Sequence, residues 1–407
     1  MVRFIITLCV TISFISLPAN DYFKNMPPGW YVIKEQSFNG KTKTNVGRRL
    51  GVKLKALSNN YLNINGKTVM VNIIELYNQS DAIKVHNIIS KMKGNPAFCL
   101  LNKNKVIEFT GTQLTVPIAR KVAWELGFSL RPDVVKYQLS FKLGAVDKLS
   151  YMNLNKLSNL LAANNKALAS EIGRIKSKFI FGKKLFLRCD PVNNHYTFEP
   201  VPHSLTSSDG ITEYSFNKLP ALYNIPFATV NAEVRVEHNS FTKAEKIDEK
   251  KYLMPTEFWP SNDSRIKQIA RKLTAQCQTM EDRINILLKA SKLSKHGPVS
   301  GSRWGVKKVL EQKYGNCWDA SDLFITMCRA INIPCRQVAG WLYGISGHVW
   351  AEYWIKDTGW QQVDPSSGGY LKCGIYHIPY FTSADGHMPI LYISFPKIEL
   401  LNSQVKK

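Results

Sequence analysis

Apolar positions in the first third of the chain switch between two periods. Trp30-Tyr31-Val32-Ile33 and Thr68-Val69-Met70-Val71-Asn72-Ile73-Ile74 are short runs rich in β-branched or aromatic residues, the second entered through Asn65-Gly66. Such runs predict strands. Over 81–92 the apolar positions Ile83, Val85, Ile88 and Ile89 have helical spacing. Residues 98–109 predict a strand pair turning at Asn102-Lys103-Asn104, and 115–126 a helix with Pro117 in its first turn. Together these give a small α+β module over 20–130. Residues 131–250 read mostly as strands, for example 178–187 and 229–236, interrupted by one helical stretch at 153–175. They predict a β-rich domain. The charged, Pro-free stretch 241–251 reads as a linker from this domain to the C-terminal segment.

From Met254 the texture changes, and seven of the nine Trp fall between Trp259 and Trp360. Asp263-Ser264 suits a helix N-cap ahead of Ile266, Ile269, Ala270 and Leu273. Thr279-Met280-Glu281-Asp282 resembles a capping box ahead of Ile284, Leu287 and Leu288. A short helix is expected over 306–313. Then Asn316 can cap a helix whose apolar positions Ala320, Leu323, Phe324, Met327, Cys328 and Ile331 recur at three- and four-residue steps until Pro334. Cys317 therefore falls in the first turn of a helix with a buried face. Free N–H groups and the helix dipole stabilise a thiolate in such a position.

Two strands come after the helix, 335–343 and 347–355. A tight turn at Asp357-Thr358-Gly359 leads into Trp360-Gln361-Gln362-Val363-Asp364-Pro365. In an antiparallel hairpin the start of one strand lies beside the end of the next. His348 and Asp364 occupy those two positions. Asp364 can hold the His348 ring while the other ring nitrogen faces Cys317, which supplies nucleophile, base and orienter. Each residue alone has a plainer explanation: a core cysteine, a strand histidine, an Asp-Pro turn. The three placements together fit one mechanism.

These residues resemble the transglutaminase-like superfamily. The resemblance is carried by Tyr314-Gly315-Asn316-Cys317-Trp318-Asp319-Ala320, Ala330-Ile331-Asn332-Ile333-Pro334-Cys335-Arg336, Gly347-His348-Val349-Trp350-Ala351-Glu352 and Gly359-Trp360-Gln361-Gln362-Val363-Asp364-Pro365. It implies a papain-like catalytic core over 254–370 with Cys317 as nucleophile, His348 as base and Asp364 as orienter. The fold class expected for the whole is α+β and multidomain, with a C-terminal extension over 371–407. Animal transglutaminases carry two β-barrels after the core; here only 39 residues follow Gly368. No calcium-loop cluster of Asp and Glu occurs, and the paired Cys-x-x-Cys motifs of the related peptide N-glycanases are absent. No cofactor is implied. An acyl-transfer site needs oxyanion donors. The Cys317 backbone N–H is one, and the Trp304 indole is a candidate for the second, with a packing role at the cleft wall as its alternative. Trp318 and Trp350 flank the two catalytic candidates. His195, His203, His238, His377 and His387 lack metal-ligand spacing, so no metal site is expected. Cys328 lies on the apolar helix face and Cys335 reads as a small buried residue.

The N-terminus and the charge suggest a compartment. After Arg3, residues 4–17 are almost wholly apolar and Pro18-Ala19-Asn20 comes next. That is the pattern of a cleaved signal peptide over 1–19, its apolar run short for a bilayer span, with an uncleaved N-terminal anchor as the alternative. No later run is long enough to span one, so the mature chain is expected to have no membrane span and to be secreted, periplasmic or extracellular. Eight cysteines in 407 residues are too few for a disulfide scaffold. The 44% hydrophobic share excludes a mainly disordered chain. Lys and Arg number 54 against 30 Asp and Glu, a formal charge of +24. Residues 36–74 include Lys41, Lys43, Arg48, Arg49, Lys53, Lys55 and Lys67. In a secreted protein this favours anionic envelope polymers or acidic substrates, with a simply solvated basic face as the alternative; no nucleic-acid motif is present. The resulting expectation is a thiol enzyme acting on amide bonds of proteins or peptides, by hydrolysis or amine transfer. The alternative is a non-catalytic envelope-binding or scaffold protein with a vestigial core.

Overall fold

The computed structural model describes residues 21–27, 29–64, 66–91, 98–112, 114–148, 180–189, 194–208, 210–237, 247–293, 295–296, 303–344, 346–367, 373–388 and 391–404. The signal-peptide segment and the helical stretch expected over 153–175 lie outside these residues, as does most of the linker expected over 241–251. Helices and strands mix in several sheets, and the chain forms two compact units that divide between Arg131 and Pro132.

The first unit is one antiparallel sheet. Strands β1 (Trp30–Ser37), β2 (Leu54–Ile64), β3 (Lys67–Leu76), β4 (Phe98–Asn102) and β5 (Lys105–Thr110) lie in the order β1-β2-β3-β5-β4. Alternation along each strand sends apolar residues to both faces. On one face Leu62, Val71, Ile107 and Phe109 pack with Ile118 and Val122 of α3 (Val116–Glu125). On the other, Leu57, Ile74 and Val106 pack with Leu50 of α1 (Gly40–Leu50) and with Ala82, Val85 and Ile89 of α2 (Gln79–Ser90). The periodicity identifies α2 and α3 but not α1, whose sequence GKTKTNVGRRL buries only Gly47 and Leu50.

The second unit joins the segments expected as the β-rich domain and as the papain-like core. Its long strands are β6 (Val134–Gly144), β7 (Lys184–Arg188), β8 (Asn194–Glu199), β9 (Ser204–Ser208), β10 (Ile211–Ser215) and β11 (Ile225–Glu237). Then come helices α4 (Ser264–Thr274), α5 (Met280–Ser291), α6 (Val306–Gln312) and α7 (Cys317–Ala330), and strands β12 (Cys335–Leu342), β13 (Ser346–Ile355), β14 (Gly359–Val363), β15 (His377–Ser383) and β16 (Leu391–Gln404). One sheet runs β8-β11-β6-β16, a smaller one β9-β10-β7, and the sheet behind the site β14-β13-β12-β15. Residues 371–407, expected as an extension, supply β15 to the site's sheet and β16 to the β6 sheet. The Tyr137 hydroxyl of β6 donates to the Ile375 carbonyl at 2.7 Å, tying the two sheets together.

Helix α7 is the hub. Leu323, Phe324, Met327 and Cys328 are fully buried in a core shared with Ile266 and Ala270 of α4 and Ile284 and Leu287 of α5. Its start is held by a capping box: the Asn316 side chain accepts from the Trp318 N–H at 2.9 Å, and Asp319 accepts from the Asn316 N–H at 3.0 Å. Such caps are worth about 1 kcal/mol, and this one sets the register that puts Cys317 first in the helix.

Candidate active site

Cys317 is half-buried at the N-terminus of α7, where first-turn N–H groups have no intrahelical acceptor. The helix rests on β13 through bonds such as Ser321 Oγ to the Val349 carbonyl, 3.3 Å. On β13, His348 reaches both Cys317 and Asp364. Its Nε2 lies 2.9 Å from Asp364 Oδ2, and the Cys317 thiol stands close enough to the ring to help raise its pKa. With Nε2 committed to Asp364, Nδ1 is the nitrogen left for the thiol. Asp364 comes directly after Val363, whose partner across the hairpin is Ala351. This is the hairpin juxtaposition the turn at Asp357-Thr358-Gly359 predicts.

The electrostatics are those of a desolvated ion pair. Burial opposes a charge on His348. The Asp364 carboxylate outweighs it, with help from the thiol, and raises the ring from 6.5 to about 10. Burial likewise opposes charge on Asp364. The His348 charge and hydrogen bond, followed by those of His377, hold the carboxylate well below its usual range. Asp364 Oδ1 is engaged too, accepting from Ser366 N–H at 3.0 Å and Ser366 Oγ at 2.6 Å. A carboxylate that stays ionised can only accept, so the imidazole nitrogens facing it carry protons.

Trp304, the oxyanion candidate, stands beside the helix start. Its backbone N–H donates to Asp319 Oδ1 at 2.8 Å, and Lys308 Nζ sits 4.1 Å over its ring. The loop that carries it is anchored by Arg303. That guanidinium donates to Asp322 at 2.6 Å, Gln337 at 2.7 Å and the Gly386 carbonyl at 2.8 Å. It also stacks between Phe258 and Trp318. Cys328 and Cys335 are fully buried in the core.

Three residues of this neighbourhood are given no site role by the sequence. His377 of β15 is 2% exposed and its Nε2 lies 3.4 Å from the same Asp364 Oδ2. The ligand atoms of His348, Asp364 and His377 all fall within 4.8 Å of one another. A metal ion placed among them would take over the nitrogens that now face Asp364. The other two are Arg188 and Arg336, which grip the two oxygens of Glu352 at 2.9 and 2.7 Å; Glu352 sits on β13 itself. Arg188 comes from β7, far from β13 in sequence.

Residues 267–365 match the family model of the transglutaminase-like superfamily. The C-terminal segment carries a transglutaminase-like core. Among solved structures, a candidate cysteine protease from Cytophaga hutchinsonii is similar at 12% identity and TM-score 0.40, covering 68% of this chain and 93% of its own. The periplasmic domain of TgpA from Pseudomonas aeruginosa, bound to ethylmercury, is similar at 12% identity and TM-score 0.32, covering 59% and 91%. A candidate protease from Parabacteroides distasonis is similar at 11% identity and TM-score 0.24, covering 84% and 69%. No curated protein matches the chain. Among the described residues no helix is long and apolar enough to cross a membrane.

Proposed function

We propose that the transglutaminase-like core is a thiol enzyme that cleaves amide bonds of proteins or peptides through an acyl-enzyme on Cys317. The observation that carries this is the cluster at one helix start: Cys317 in the first turn of α7, the His348 ring beside its thiol, and that ring bonded to Asp364 at 2.9 Å. In the first step the Cys317 sulfur attacks the amide carbonyl. His348 passes a proton to the leaving amine, and a thioester remains. In the second step His348 takes a proton from water or an acceptor amine, which attacks the thioester and frees Cys317. Asp364 holds His348 in the tautomer that serves both steps. The Cys317 N–H and the Trp304 indole are the proposed oxyanion donors. The substrate is a protein or peptide. The N-terminal apolar segment supports a secreted or periplasmic location, and the basic stretch 36–74 supports attraction to anionic envelope polymers.

The test pairs one protein substrate with two readouts. Casein is incubated with the enzyme, with and without dansylcadaverine, and both new amino termini and fluorescence incorporation are monitored. New termini assign hydrolysis, and incorporation assigns amine transfer. Cys317→Ala is expected to lose both; a variant that keeps either activity overturns the reading.

A further inference from the structure

The hairpin accounts for one imidazole on Asp364, but the site contains two. We propose that His377 is a positioning residue: its Nε2–H donates to Asp364 Oδ2, and this second bond keeps the carboxylate ionised and aimed at His348. The inference rests on the catalytic reading of Cys317, His348 and Asp364.

The topology explains how β15 reaches the relay. Strand β12 lies between β13 and β15, and its Gly340 pairs with His348 on one side and Pro379 on the other. Residues two apart on a strand share a face, so His377, two before Pro379, points to the side that His348 occupies. Gly340 leaves that side open. The Trp350 ring fills the space over Gly340 and meets the His377 ring edge-on at 5.1 Å. The two imidazoles then lie 5.9 Å apart, centre to centre, with Asp364 Oδ2 within hydrogen-bond reach of both.

The chemistry gives this contact its direction. Asp364 is 2% exposed, and burial alone would favour its neutral form. A neutral Asp364 could neither orient the His348 ring nor balance its charge. His348 cannot secure the anion by itself, because it moves a proton during each cycle. The Ser366 donors hold Oδ1. His377 is the donor on Oδ2 that takes no part in proton transfer and so stays constant through it. Its Nε2 must carry a proton, since an ionised carboxylate only accepts.

The full-length protein tests this without a known substrate. Iodoacetamide is the probe, and peptide mass spectrometry tracks the Cys317 alkylation rate from pH 4 to 8. The proteins are wild type, His377→Phe, His377→Gln, Asp364→Asn and the Asp364→Asn/His377→Phe double variant. Losing one charge-assisted hydrogen bond is expected to slow alkylation about 10-fold on the acid side for His377→Phe, with the acid limb moved to higher pH. His377→Gln, which keeps an N–H donor, restores most of the rate. In the Asp364→Asn background His377→Phe adds little, because its partner is gone. The assignment falls if His377→Phe has the wild-type profile, or if its effect adds in full to that of Asp364→Asn. Casein turnover is measured alongside: activity surviving in Cys317→Ala refutes the catalytic reading, whereas additive variants with Cys317→Ala inactive refute only the role of His377.

Discussion

Replacing Glu352 by Gln removes one charge from the centre of the second unit and changes almost nothing in volume. Glu352 and the Arg188 side chain are fully buried, and Arg336 is 3% exposed. The carboxylate pairs with the Arg188 guanidinium at 2.9 Å through Oε1 and accepts a hydrogen bond from Arg336 Nε at 2.7 Å through Oε2. With Gln, two buried guanidiniums face each other across a neutral amide. Breaking a buried ion pair from one side costs about 3–5 kcal/mol, and two stranded cations place Glu352→Gln at the upper end of that range. Arg188→Met leaves a balanced Arg336–Glu352 pair and one buried carboxylate oxygen without its cation, which costs about 1–3 kcal/mol. The double variant strands only Arg336. Its cost is therefore smaller than the sum of the singles, with a coupling of at least about 1 kcal/mol. Urea unfolding at pH 7, monitored by tryptophan fluorescence and circular dichroism, measures all three. Stabilities of domains are about 5–15 kcal/mol, so Glu352→Gln should lower the midpoint conspicuously. If Glu352→Gln costs no more than Arg188→Met, or if the two add within about 0.5 kcal/mol, the desolvated network is not what joins β7 to the sheet behind the site.

Three further outcomes are expected at the site. Asp364→Asn keeps size and removes charge; turnover should fall by about 10²–10⁴-fold with a thermal midpoint close to wild type, and a midpoint drop with proportionate activity loss would make the residue structural. The His348 pKa is raised from 6.5 to about 10, so its contribution to stability is complete below 6.5 and is lost as pH rises toward 10. The thermal midpoint should therefore decline between pH 7 and 10, with a flatter decline in His348→Gln; parallel curves for the two proteins would contradict the shift. Gly340→Ala puts a Cβ into the Trp350 ring and the Ile378 carbonyl; an overpacked core of this kind costs about 1–3 kcal/mol, read by urea unfolding, and a neutral effect would show that the gap across β12 is not tightly filled.

The residues legible in the sequence and those hidden in it divide along contact range. Helix α7 is legible because the spacing of Leu323, Phe324, Met327 and Cys328 reports a local period, and Asn316 a local cap. The β13–β14 hairpin is legible because its turn is three residues of known chemistry. Strand β2 (LKALSNNYLNI) is not, since buried Asn59 and Asn60 break the apolar pattern that marks a strand. His377 gives no signal because nothing near it in sequence resembles a ligand set. Its partner Asp364 lies 13 residues earlier, and only the β12–β15 pairing brings the two together. Arg188 and β16 are of the same kind: an arginine in a short strand and an alternating tail become meaningful only once Glu352 and β6 are found opposite them.

The central claim is that Cys317 is the nucleophile, activated by His348. A peptidyl vinyl sulfone at pH 6, quenched at short times and mapped by peptide mass spectrometry, addresses it directly. A single early adduct on Cys317 is expected, while half-buried Cys189 and Cys277 stay unmodified, with a label at least about 100-fold slower in His348→Ala. Labelling of Cys189 or Cys277 as fast as Cys317, or a Cys317 rate unchanged by His348→Ala, would contradict it.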